Sequence, residues 1–308
     1  MLTITESDVQ RLLPMRETVA LMRRVFEGLG NGEALNQSRR RLVLPTGAVL
    51  HSLAGAFGGY FGTKVYSTHR RYGAHFLLLL YRAEDAQPLA MVEANYLGQI
   101  RTGAVSGFAT DLLARPDAAT LAIIGTGFQA RSQLAAMLAV RPFRTVRAWS
   151  RNAERREQFA RECSAAFGIG IEAVETAERA VRGADVIVTI TNAKDPVLEA
   201  GWVEPHAHIN AAGANQANRR ELPAELIHAA GLIAVDSIEQ ARGESGDLIL
   251  ALDDAGWRDP KLVELAELAA GKRRFEQTNR PTIFKSNGLG VQDVAAAGFV
   301  YERMKNYS

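Results

Sequence analysis

Apolar positions in this 308-residue chain recur with two different periods, and the shifts between them outline its elements. Val9, Leu12 and Leu13 mark one helical face, preceded by Thr5 and Asp8 at the spacing of a helix cap. A second helix is expected over roughly residues 15–27, closed by Gly30 and Gly32. Through RRLVLP, AVLHSLAGAF and GGYFGTKVYSTH the pattern changes to that of strands in an antiparallel sheet. Residues 76–81 and 89–93 are expected to be strands paired across the polar turn AEDAQP. The stretch YLGQIRTGAVSGFATDLLA reads as a helix whose small residues permit close packing, and Ala114, Arg115 and Pro116 mark a boundary.

Beyond that boundary, short apolar runs at 121–124, 145–149, 186–190, 208–211 and 232–235 are separated mostly by helical stretches. Such alternation predicts βαβ units and a parallel sheet. The first run feeds a Gly-rich turn that opens into a helix, TLAIIGTGFQARSQ, which is the entry of a dinucleotide site. Gly125 makes the tight turn, Gly127 lets the backbone approach a pyrophosphate, and Ala130 lets helix and strand pack closely. The helix N-terminus offers its N–H groups to the anion. The second run ends in Ser150, Arg151 and Asn152, with no carboxylate for a ribose 2′-hydroxyl. Ser150 and Arg151 suit a 2′-phosphate, so NADP(H) is expected ahead of NAD(H).

Composition narrows the function classes. With 47% hydrophobic and 23% charged residues the chain can bury two cores, and a net charge of only +2 argues against a nucleic-acid binder. The basic clusters Arg39–Arg41 and Lys272–Arg274 lack interleaved aromatic residues that could stack on bases. A single cysteine, Cys163, excludes an intramolecular disulfide, and MLTITESDVQ does not read as a secretory leader, so a cytoplasmic protein is expected. No apolar run is long enough to span a bilayer. His206 and His208 share a strand face but lack further ligands nearby, so no metal site is expected.

Eight motifs in order, RRLVLP, GTKVYS, IRTGAVSGFAT, IIGTGFQA, GADVIVTITNA, HINAAGAN, AVDS and TIFKSNGLGVQD, resemble the ornithine cyclodeaminase and mu-crystallin family. The resemblance implies an α/β protein with a Rossmann domain over residues 114–286. Residues 1–113 with 287–308 would form an α+β substrate-binding and dimerisation domain, and the protein would be a homodimer. By matching motif, Arg41 and Arg101 would bind a substrate carboxylate, and Lys64 would be the active-site lysine, its pKa lowered by burial and by the arginines. Cofactor contacts carry over to Gly125, Gly127, Gln129, Ala130, Thr191, Ala212, Gly213, Arg219 and Ser286, beside the Ser150, Arg151 and Asn152 already noted. Asp293 reads as a structural partner at the last helix.

Two departures from the family pattern bear on the reaction. Ornithine cyclodeaminases carry an aspartate where this chain has Asn215, which is expected to touch substrate but has no proton to exchange near neutral pH. The methionine and proline common after the first arginine are replaced by His51 and Ser52, and His51 reads as a hydrogen-bonded structural residue. The expected function is NAD(P)H-dependent interconversion of a small α-imino or α-keto acid and the corresponding amino acid. Alternatives are an ornithine cyclodeaminase, which would form proline, and a mu-crystallin-like protein that binds a small ligand without catalysis.

Overall fold

Thr5 opens the first helix, as its spacing implies, in a computed structural model that describes residues 1–307. After β1 (Leu2–Ile4), the Thr5 hydroxyl accepts from the Asp8 backbone N–H while the Asp8 carboxylate accepts from that of Thr5, fixing the start of α1 (Glu6–Leu12). Helix α2 (Met15–Asn31) runs one turn past its expected end and stops at Gly32. Five strands follow, β2 (Leu35–Val43), β3 (Val49–Phe57), β4 (Tyr60–His69), β5 (Gly73–Arg82) and β6 (Pro88–Glu93), paired antiparallel in sequence order. The terminal strand β1 joins parallel to β6, completing a six-stranded sheet.

These elements, the first part of α3 (Asn95–Leu113) and the C-terminal helix (Gly290–Tyr307) form one compact unit, residues 1–104, 269–272 and 288–308. Strand alternation buries Leu53, Leu78, Leu80 and Val92, on the sheet face that meets Val294, Ala297 and Val300 of the C-terminal helix. The helix comes so close to β3 that a Cβ on Gly55 would lie 2.5 Å from the Val291 backbone. Only glycine fits there.

The second unit, residues 105–268 and 273–287, is the expected parallel sheet. Its strands are β7 (Thr120–Ile124), β8 (Thr145–Trp149), β9 (Ile171–Ala173), β10 (Val186–Thr189), β11 (His208–Ala211), β12 (Leu232–Val235), β13 (Leu262–Glu264) and β14 (Thr282–Lys285). All pair parallel, in the order β13-β12-β14-β11-β10-β7-β8-β9. After β7 the chain first builds outward through β8 and β9 and then returns to lay β10 on the other side of β7. That reversal opens a crevice at the C-terminal ends of β7 and β10, where α/β sheets bind ligands. Helices α4 (Ala130–Val140) and α5 (Ala153–Phe167) connect the first strands.

Besides β1, three short strands had no separate signal in the pattern. β9 and β13 are edge strands of three residues, and the four-residue β14 inserts between β11 and β12. The two units part inside α3, after Ala104, and not at Ala114–Pro116. The later turns of α3 belong to the parallel-sheet unit because Thr110 accepts a hydrogen bond from Asn210 of β11 at 2.8 Å.

Gly55→Ala tests the packing of the C-terminal helix. The added methyl cannot be accommodated without moving backbone, so the variant is expected to lose roughly 1–3 kcal/mol in urea denaturation. An unchanged midpoint would mean that the helix yields at no cost.

Candidate active site

Alternation along β4 turns Lys64 to the same face as Gly62 and Tyr66, beside its cross-strand neighbours Leu53 and Leu78, both fully buried. Lysine is almost never placed so unless it is paired. Its Nζ lies 2.8 Å from both carboxylate oxygens of Asp293 on the C-terminal helix. Arg101 of α3 donates through Nε to Asp293 at 2.9 Å and through Nη1 to the Gln292 side chain at 2.9 Å. Lys64 is 3% exposed, Arg101 6% and Asp293 not at all.

Burial is the main influence on Lys64 and pulls its pKa from 10.5 to about 7; Asp293 works in the opposite direction, and Arg101 and Arg39 add to the lowering. Burial would raise the Asp293 carboxyl, but Arg101 and Lys64 hold it below the usual carboxylate range. The result is a buried amine that exchanges a proton near neutrality, fixed between a carboxylate and guanidinium groups.

Of the residues assigned to the substrate carboxylate, Arg101 stands in this cluster, whereas Arg41 lies on β2 opposite His51. Arg39, two residues before Arg41, bears on Lys64 electrostatically and donates to the Gly288 carbonyl at 3.4 Å. His51 is stacked on Tyr66 with ring centroids 4.2 Å apart, and Tyr66 on Phe76 at 4.8 Å. Its Nε2 is hydrogen-bonded to the Thr68 hydroxyl at 2.9 Å. Burial, then Arg41 and Arg39, push the imidazole pKa down to about 4, so His51 is neutral at pH 7.

In the parallel-sheet unit, Gly125 has φ +112°, and a Cβ there would meet the Ile190 carbonyl at 2.4 Å, which explains the residue. Gly127 faces open space, and no side chain caps the N-terminus of α4 after Gln129. Both features fit a pyrophosphate approaching the turn. Ala130 is fully buried. The Ser150 hydroxyl is hydrogen-bonded to that of Thr126 at 2.8 Å, linking the end of β8 to the Gly-rich turn, and Arg151 is exposed beside it. Asn152 uses its side-chain oxygen to cap α5, accepting from Arg155 N–H at 2.8 Å.

Thr191 and Gly213, two of the remaining positions expected to meet a cofactor, are drawn together by a residue that sequence reasoning passed over. Glu221, fully buried, accepts from the Thr191 backbone N–H at 2.6 Å and its hydroxyl at 2.8 Å, and from Gly213 N–H at 2.8 Å. Asp247 accepts from Glu221 N–H at 2.6 Å and pairs with Lys285 at 2.9 Å. Ala212 donates to the Thr189 carbonyl, Arg219 to the Asn192 carbonyl, and the Ser286 hydroxyl to Asp236 at 3.2 Å. Asn215 follows in the loop after β11. His208 bonds Thr282 and His206 bonds Asp185. Nothing in the spacing of Glu221, Asp247 and Lys285 marks them, because single charged residues far apart in the chain usually face solvent. Asp293 and Gln292 were visible in the VQD motif, but their contact with Lys64 and Arg101 arises only when the C-terminal helix docks on the sheet.

A sequence profile of the ornithine cyclodeaminase/mu-crystallin family matches residues 5–308. The delta(1)-pyrroline-2-carboxylate reductase of Bacillus cereus (strain ZK / E33L) is 32% identical over 98% of this chain and 96% of its own length. Among solved structures, that of Thermococcus litoralis delta(1)-pyrroline-2-carboxylate reductase in complex with NADH and L-proline has a TM-score of 0.94 at 32% identity, covering 100% of this chain and 98% of that one. An archaeal alanine dehydrogenase dimer with bound NAD has a TM-score of 0.92 at 31% identity, covering 100% and 97%.

The Lys64 amine keeps its proton up to about pH 7 in the fold and up to its ordinary value of 10.5 when unfolded. Between those values the unfolded chain holds more protons, so this lysine's contribution to stability rises with pH. Wild type should therefore gain on Lys64→Met between pH 7 and 9, by up to about 1.4 kcal/mol per pH unit in urea denaturation. A difference that does not change with pH would show that the folded amine titrates normally.

Proposed function

The chain belongs to the ornithine cyclodeaminase/mu-crystallin family, and we propose that it is an NAD(P)H-dependent oxidoreductase that reduces a small α-imino acid, preformed or made from an α-keto acid and an amine, to the amino acid. The observation that carries this reading is the buried Lys64, drawn to about pH 7 between Asp293 and Arg101. The substrate carboxylate pairs with the guanidiniums of Arg101 and Arg41, and Arg39 adds positive charge on the same strand. A bound nicotinamide supplies the hydride for the α-carbon. Lys64 Nζ delivers the proton to the imine nitrogen, and Asp293 and Gln292 hold the lysine and Arg101 in place. In the oxidative direction the same amine takes that proton back.

Cyclodeamination of ornithine also requires the side-chain ammonium, with a reference pKa of roughly 10.4, to lose its proton. Asn215 cannot take it, and Asp236 is engaged with Ser286 and the Asn287 backbone N–H, so reduction is the better match. NADPH is proposed ahead of NADH because the end of β8 offers Ser150 and exposed Arg151 and no acid. The protein is proposed to be a homodimer. The sheet face opposite Lys64 carries Leu42, Leu50, Phe61 and Leu77, each 36–59% exposed, which is an apolar surface suited to a second copy. A cytoplasmic setting suits the buried, unpaired Cys163. Among the described residues no helix is long and apolar enough to cross a membrane.

The deciding experiment follows NADPH and NADH oxidation with pyrroline-2-carboxylate and with pyruvate plus ammonia or methylamine, beside an assay for proline from ornithine. Imine reduction without proline formation is expected, and efficient ornithine conversion with no net NADH would overturn the reading. Because the proton donor is the ammonium, the rate should fall as pH rises through about 7. Asp293→Asn removes the charge that raises the amine's pKa and should move this limb to lower pH; Lys64→Met should lose it, with roughly a hundred- to ten-thousand-fold of the rate. A limb left in place by both variants would assign the titration elsewhere.

Titration of each cofactor tests the 2′-phosphate site. Arg151→Ala should weaken NADPH roughly ten- to a hundredfold and leave NADH unchanged. Tighter binding of NADH by the wild type would remove the argument.

A further inference from the structure

His51 is nine-tenths buried, yet only one of its ring nitrogens has a protein partner. Nε2 is held by Thr68, whereas Nδ1 is buried and has no hydrogen-bond partner among the described residues. A stacking role alone does not explain it. A hydrocarbon or phenyl side chain would pack against Tyr66 and Phe76 without burying an unpartnered polar atom, which is costly. The ring also stands at the reaction site. His51 stacks on Tyr66, the Tyr66 ring centroid is 5.7 Å from Lys64 Nζ, and the cross-strand neighbours of His51 are Arg41 and Tyr66.

We infer that His51 selects the substrate side chain through Nδ1, and that the preferred substrates are α-imino or α-keto acids bearing a side-chain hydroxyl, ahead of their hydrocarbon counterparts. This rests on the reductase reading of the Lys64 site. The neutral imidazole has one donor and one acceptor nitrogen, and which role Thr68 leaves to Nδ1 depends on the tautomer. A hydroxyl satisfies either, since it both donates and accepts. An ammonium side chain is disfavoured by the positive charge of Arg39 and Arg41, the two charged groups that act on the ring. A site that hydrogen-bonds a substrate hydroxyl discriminates strongly against an analogue lacking it, because the polar atom is then left unpaired.

The test compares NADPH oxidation with methylamine and hydroxypyruvate, pyruvate or oxaloacetate, for wild type, His51→Leu and His51→Asn. Wild type is expected to favour hydroxypyruvate over pyruvate in kcat/KM by about tenfold or more. His51→Leu should erase that preference, bringing the hydroxypyruvate-to-pyruvate ratio of kcat/KM close to one whatever the absolute rates. His51→Asn, which keeps a polar atom where Nδ1 stood, should retain part of it. No preference in wild type, the same preference in His51→Leu, or a preference for oxaloacetate untouched by both variants would overturn the inference. If no keto acid or imine is turned over, the reductase reading fails by itself. Thermal shifts with L-serine and L-alanine then decide on His51: a serine advantage lost in His51→Leu upholds it, and equal or absent binding overturns it.

Discussion

One carboxylate ties together the parts of the chain that make a reactive amine. Asp293 is completely buried and receives Lys64 from β4 and Arg101 from α3, residues 229 and 192 positions away in sequence. Three charges removed from water are stable together only because each has a partner, and removing one would leave the others uncompensated. The requirement reaches into the packing around them. Gly55 is glycine so that the C-terminal helix can come close enough to the sheet for Asp293 to meet Lys64. The same burial that makes the lysine expensive to fold lowers its pKa to about 7.

The parallel-sheet unit obeys a comparable rule with a different charge set. Backbone N–H groups at Thr191 and Gly213, just past the ends of β10 and β11, point at Glu221, and Asp247 with Lys285 holds the segment that carries it. Burial pushes the Glu221 carboxyl above the usual range against these donors. The loops after β10 and β11 are thereby fastened to one buried carboxylate.

Members of one family share this frame and carry out different reactions, so the residues at which this chain departs from the common pattern decide its chemistry. Asn215, Arg151 and His51 are three such departures, an amide, a guanidinium and a polar ring. None of the three disturbs the ion cluster.

Local chemistry was enough to determine a good deal. The capping box at Thr5, the Gly-rich turn at Gly125, the antiparallel strands after Gly32 and the alternating parallel-sheet pattern all follow from interactions within a few residues, which the sequence displays directly. Arg101 and Lys64 were legible too, through their motifs. Tertiary structure alone decided that Asp293 faces Lys64, that Arg39 joins Arg101 in acting on the amine, that Glu221 gathers the loops after β10 and β11, and that the four residues of β14 lie inside the sheet between β11 and β12. The reason is physical. A buried charge is defined by partners brought from distant segments, and a short strand by the neighbours that complete its hydrogen bonds, and neither leaves a period or spacing in the chain.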